Sequence, residues 1–210
     1  MVFRLGFVNA TVYIEAMLHL FLIRHGETDW NRLGRFQGVR DIPLNEEGRR
    51  QALALARFWD QELDSIVCSP LSRARDTAQI LARSRGLTVE VPDVRLAERA
   101  YGEGEGLTLA ERKERYGDMV PGMEAPESVR ARGLDFLKAM ESRDGRIAAV
   151  SHGGLINALL WAVSEGAVGT GRSILPNASV SEVVMGPRGW FVASVGKTYD
   201  QSAEPLGLRE

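Results

Sequence analysis

The chain has 210 residues, of which 44% are hydrophobic and 26% charged, and its formal net charge is -2. That length suits one domain with a sizeable core, and the near-neutral balance excludes a global attraction to nucleic acid or to an anionic membrane, so any anion site must be local. Cys68 is the only cysteine, which rules out an intrachain disulfide and a cysteine-rich zinc centre and fits a reducing cytoplasm.

Residues 1–16 read as an N-terminal extension, with Met17 as the natural start and residues 17–210 as a single domain. Polar residues interrupt the apolar run before Met17, a poor pattern for a signal peptide. Leu18 to Ile23 is a short apolar run that predicts a strand buried on both faces of a parallel sheet, ending at Arg24-His25-Gly26. Asn45 caps a predicted helix whose apolar positions Ala52, Leu55, Ala56 and Trp59 keep helical spacing. Ser65 to Cys68 predicts a second strand, ended by Ser69-Pro70, and Leu71 to Ala82 a helix. Leu87 to Val91 predicts a third strand and Thr108 to Tyr116 a helix; Gly117 to Pro126 is loop, and Glu127 to Met140 is helix again. Arg146 to Val150 predicts a strand that runs into Ser151-His152-Gly153-Gly154 and a helix from Leu155 to Val163. Two late strands, Ser179 to Met185 and Trp190 to Val195, flank the hairpin turn Gly186-Pro187-Arg188-Gly189. Strands alternating with helices predict a three-layer α/β/α sandwich with a largely parallel central sheet.

The chain holds three histidines. His25 and His152 share one context: an apolar strand, His-Gly, then a helix. In a parallel sheet the carboxyl ends of the strands share one edge, and ligands bind there, so two distant histidines can face one pocket. Glycine after each allows close backbone approach, and nearby helix N-termini offer N–H groups to an anion. His19 lacks that context and is expected to pack at a structural position. Cys68 reads as a small buried hydrophobe and not a nucleophile, because no Cys-X5-Arg phosphate loop follows it.

Leu22-Ile-Arg-His-Gly-Glu-Thr-Asp-Trp-Asn31 resembles the signature of the histidine phosphatase superfamily, which contains phosphoglycerate mutases and broad-specificity phosphatases. Further segments resemble that family in its own order: Phe36 to Leu44, Cys68 to Ala78, Leu96 to Leu107, and Ser151 to Gly154. The resemblance implies that His25 attacks phosphorus and that Arg24, Arg73 and His152 bind the phosphoryl oxygens. It implies a further neutral donor in Asn31. Gln37 and Gly38 would lie in a loop touching the rest of the substrate. Glu98 would protonate the leaving oxygen and then activate water, with Glu103 and Glu105 near enough to compete for that role. Ser151 is expected either to hydrogen-bond locally beside His152 or simply to cap its strand.

Hydrolase and mutase share these residues. Glu98-Arg99-Ala100-Tyr101-Gly102 is similar to the mutases, but the span from Glu98 to His152 is short, Leu109 stands where a mutase lysine is expected, and Phe36-Gln37-Gly38 is phosphatase-like. The expectation is a metal-independent phosphomonoesterase of histidine acid phosphatase type, cytoplasmic and without a cofactor, acting on a small phosphorylated metabolite. No nucleic-acid or membrane partner is expected, and a homodimer is left open. A cofactor-dependent phosphoglycerate mutase is the alternative, and an inactive ligand-binding relative stands last.

Overall fold

The computed structural model describes residues 18–199; the expected extension and the start at Met17 lie outside these. The sheet is built around β1 (Leu18–Arg24). Its side chains alternate between faces. Leu18, Leu20 and Leu22 join one apolar cluster while Phe21 and Ile23 join another. A strand covered on both faces must be apolar throughout, which is why LHLFLI is readable as a buried strand.

Sheet order is β2-β3-β1-β4-β5. β2 (Ser65–Cys68) and β3 (Arg146–Ser151) run parallel to β1, whereas β4 (Val180–Gly186) is antiparallel to β1 and β5 (Gly189–Lys197) antiparallel to β4. The parallel character therefore sits in the half of the sheet that carries the histidines. Register pairs Arg24 with Ser151, so His25 and His152 leave the sheet side by side.

One face is covered by α2 (Glu46–Phe58) and α3 (Ser72–Arg85), whose Leu55, Ala74, Ala78 and Leu81 pack with Phe21, Ile66 and Trp59. Phe21 and Trp59 meet edge to face, with ring centroids 5.0 Å apart. The other face is covered by α5 (Pro126–Met140) and α6 (Gly153–Val163), which supply Phe136, Leu137, Leu155 and Leu159. A short α1 (Asp29–Arg32) precedes α2 and α4 (Leu109–Tyr116) precedes α5, each opened by a threonine capping box, at Thr28 and Thr108. Asn45 caps α2 as predicted, its Oδ1 accepting from the Gly48 amide at 2.8 Å.

The expected strand over Leu87 to Val91 is a correction. Only Val89 bridges, to Ile66, and Val91 is 88% exposed. Pro92 follows with no N–H to extend a ladder, and the chain turns away. The helix expected after His25 has no bounds in the sequence reading before Asn45; the short α1 comes first, with Thr28 and Asn31 carrying its capping signal. His19 is structural, its Nδ1 lying 2.7 Å from Glu182 Oε1 on the neighbouring strand.

Among the described residues, no helix is long and apolar enough to cross a membrane.

Candidate active site

At the carboxyl edge of β1 and β3 the two imidazoles lie with ring centroids 5.1 Å apart. The backbone holding His25 is fixed from several sides. Its amide donates to the Ser151 carbonyl at 3.0 Å, and its own carbonyl accepts from the Ala178 amide and from Asn177 Nδ2, each at 3.1 Å. The Gly26 amide donates to Thr77 Oγ1 at 3.1 Å. Glycine at 26 is required because a Cβ there would sit 2.3 Å from the Gly48 carbonyl oxygen at the start of α2.

His25 Nδ1 lies 2.6 Å from the Gly26 carbonyl oxygen. A carbonyl can only accept, so Nδ1 carries the proton and Nε2 carries the lone pair. Nε2 faces Arg73, whose Nε is 3.3 Å away. Burial, with Arg73 and Arg24 close by, holds the His25 imidazole well below the usual histidine range. It is therefore neutral at physiological pH, as a nucleophile must be.

Arg73, on the first turn of α3, is fully buried. Its Nη1 and Nη2 donate to the Arg40 and Gly38 carbonyls, both at 2.8 Å, so the loop carrying Gln37 and Gly38 aims the guanidinium. Burial pulls its pKa down to about 10, opposed by Glu98 and Asp41, and it stays cationic at neutral pH. Arg24 ends β1 and donates from Nη1 to the Leu175 carbonyl. Its Nε is buried without a partner. His152 is likewise fully buried, with Nε2 2.7 Å from Ser69 Oγ and Nδ1 unpartnered. Burial, followed by the Arg73 charge, holds this imidazole well below the usual histidine range too. With the Ser69 hydroxyl donating to Nε2, the neutral ring carries its proton on Nδ1. Buried orphan donors are costly, and an anion with several acceptor oxygens would satisfy them.

Glu98 stands at the N-terminus of α6. Its Oε2 accepts from the Gly154 amide at 3.1 Å; its Oε1 accepts from Leu155 at 3.2 Å and from Arg99 at 2.8 Å. Arg132 on α5 ties down the segment beneath it, donating to the carbonyls of Arg95, Ala97 and Glu98 while pairing with Glu124 at 3.0 Å. Ser151 does bond, through Oγ to the Leu96 carbonyl at 2.8 Å, and so joins the second histidine's strand to the acid segment. The competing carboxylates are spent elsewhere. Glu105 accepts from the Val39 and Tyr101 amides, and Glu103 from the Tyr116 hydroxyl.

Arg24, His25, Asn31, Gln37, Gly38, Arg73 and Glu98 line one cavity of about 310 Å³. His152 is fully buried and is not among the lining residues, but its ring centroid lies 5.1 Å from that of His25, which is. Asn31 Oδ1 is occupied by Thr28 and Asn177, which leaves its amide nitrogen as the end available to a ligand. Gly38 contributes its carbonyl to Arg73, and Gln37 Oε1 accepts from Thr28 Oγ1 at 2.9 Å. The sequence reading missed Arg35, Tyr101 and Asn157 in the cavity wall, and Ser69 and Asn177 behind it. Tyr101 was legible in the Glu98 segment; Asn157 and Asn177 carry no local signal. Cys68 is fully buried, and burial pushes its thiol up to about 11, which makes it inert. Among the described residues, no group of three or more His, Cys, Asp or Glu side chains gathers as a metal site would require.

A family model for the histidine phosphatase superfamily (branch 1) matches residues 20–198. The chain is 38% identical over 181 residues to the Bacillus subtilis protein named "Uncharacterized phosphatase PhoE", covering 84% of this chain and 93% of that one. It is 35% identical over 204 residues to the Yersinia pestis protein named "Probable phosphoglycerate mutase GpmB", covering 87% and 94%. Among solved structures, a mycobacterial glucosyl-3-phosphoglycerate phosphatase in complex with VO3 superposes with a TM-score of 0.75 at 30% identity, covering 86% of this chain and 99% of that one.

Proposed function

Because this chain belongs to the histidine phosphatase superfamily, we propose that it hydrolyses phosphomonoesters through a phosphohistidine on His25. The observation that carries this reading is the state of His25. Its Nδ1 is spent on the Gly26 carbonyl, its ring is neutral, and its Nε2 lone pair is directed at the Arg73 guanidinium.

In the first step Nε2 attacks phosphorus and the bond from phosphorus to the alcohol oxygen breaks. The acid form of Glu98 gives its proton to that oxygen. Arg73 exchanges its contact with Nε2 for a phosphoryl oxygen, joined by Arg24 Nε, His152 Nδ1 and the Asn31 amide. These donors are preorganised in a water-poor site, where such interactions supply a large share of catalysis. In the second step Glu98 takes a proton from water, the oxygen attacks phosphorus, and the bond from phosphorus to Nε2 breaks. Phosphate leaves, and both groups return to their starting forms. No step requires a metal.

Turnover of p-nitrophenyl phosphate in EDTA, with label from the substrate recovered on His25 after alkaline quench, is the expected result. Absence of turnover, or label on another residue, refutes the proposal. A mutase reading is favoured by the likeness to GpmB. Formation of 2-phosphoglycerate from 3-phosphoglycerate, dependent on added 2,3-bisphosphoglycerate and faster than hydrolysis, would establish it instead.

A further inference from the structure

Beside the phosphoryl cavity lies a second one of about 240 Å³. Tyr101, Gly154 and Asn157 line both, so the two abut across that wall. The second cavity continues between α5 and α6, where Val129 and Trp161 form an apolar side and Arg130 supplies a charge. The Arg130 guanidinium lies over the Trp161 indole, 4.5 Å from the ring centroid. Stacking of this kind fixes the plane of the guanidinium and leaves its edge free for a carboxylate. Its acidic neighbour is one turn back on the same helix: Glu127, at 3.4 Å, with a side chain 74% exposed. An ion pair so placed is weak and readily exchanged for a ligand's anion. Arg99 lines the same cavity, with its Nε already committed to the Glu124 carbonyl at 2.8 Å.

The geometry points to a leaving-group subsite. We infer that the preferred substrates are phosphomonoesters whose alcohol portion carries an apolar body ending in a carboxylate. The phosphoryl group sits against His25, the body passes Tyr101 and Gly154 to lie along Trp161 and Val129, and the carboxylate takes the edge of Arg130. This inference rests on the phosphatase reading above and names the class of alcohol that reading leaves open. The anion site is local, in a chain whose net charge gives no general attraction to anions.

Phenyl phosphate and 3-carboxyphenyl phosphate test it, since their leaving phenols are similar in acidity and differ in the carboxylate. The wild-type protein is expected to show a kcat/KM about tenfold or more higher for the carboxylated ester, expressed mainly in KM, because a charge-assisted contact is gained. Arg130→Gln should lower kcat/KM for the carboxylated ester about tenfold more than for phenyl phosphate, and Arg130→Lys should restore part of the difference. Equal kcat/KM for the two esters in the wild-type protein overturns the subsite, as does equal slowing of both by Arg130→Gln; hydrolysis itself then still stands. Turnover of neither ester overturns the phosphatase reading, and the subsite with it.

Discussion

Gly154→Ala separates the catalytic demand on residue 154 from its contribution to stability. A Cβ on Gly154 would lie 2.4 Å from Glu98 Oε1 and 3.1 Å from its carboxyl carbon, whereas ordinary contact begins near 3.4 Å. The Glu98 carboxylate must therefore retreat by about 1 Å, since the helix backbone opposite it is fixed by packing. The bonds from Leu155 and Gly154 to that carboxylate already measure 3.2 and 3.1 Å, so a retreat of that size breaks them. Misplacing a catalytic group by about 1 Å costs on the order of 100-fold in rate. Stability should not rise with it. Gly154 is in the first turn of α6 at an ordinary negative φ, where alanine is favoured over glycine by up to about 1 kcal/mol, but the two amide bonds lost from the Glu98 carboxylate cost as much or more. Tm should hold or fall by up to about 5 °C. The assay is kcat/KM for p-nitrophenyl phosphate and for an alkyl phosphate, alongside thermal unfolding. The alkyl ester, whose leaving oxygen needs the proton, should lose far more than the nitrophenyl ester, and Glu98→Gln should reproduce that pattern. Equal loss on both esters, or wild-type turnover of the alkyl phosphate, would refute the placement of Glu98 as the acid.

His25→Ala should lower kcat by several orders of magnitude with circular dichroism unchanged, because the covalent route is removed; near-wild-type turnover would rule out His25 as nucleophile. Stability should fall on acidification below the usual histidine pKa. His25 and His152 are buried neutral, with folded-state pKa values below the ordinary 6.5, so their contribution is complete above that pH and is lost as pH drops beneath it. Both groups therefore lower stability progressively as pH falls from about 7.5 to about 5.5, and urea unfolding at those two pH values measures the loss; a flat profile contradicts it. Arg132→Gln should cost roughly 2–3 kcal/mol in urea unfolding, because three carbonyls and the Glu124 carboxylate lose a charged donor. Its loss of kcat should exceed its rise in KM, since the segment it clamps carries Glu98 and not the phosphate donors.

The strands ending at His25 and His152, the cap at Asn45 and the hairpin between β4 and β5 were legible because each depends on a few adjacent residues: a run of apolar side chains, a polar cap, a turn. The same holds for the segment containing Glu98. Interactions that join distant segments were not. Leu87 to Val91 has strand composition, yet only Val89 pairs, because Pro92 lacks a donor and nothing continues the ladder. No spacing rule told Glu98 from Glu103 and Glu105; in the structure Glu98 lines the cavity beside His25, while Glu105 accepts from the Val39 and Tyr101 amides and Glu103 from the Tyr116 hydroxyl. No local pattern connects Arg130 on α5 with Trp161 on α6, yet the fold lays one over the other.

By itself the sequence determined most of the elements and the α/β class, which follow from local pattern, while its resemblance to the family marked out the residues proposed for phosphoryl chemistry. Only the tertiary structure decided which imidazole nitrogen is free, which buried donors lack partners and which cavity adjoins the phosphoryl site. Those properties arise from contacts across the sheet and between α5 and α6, where packing sets distances that no stretch of neighbouring residues encodes.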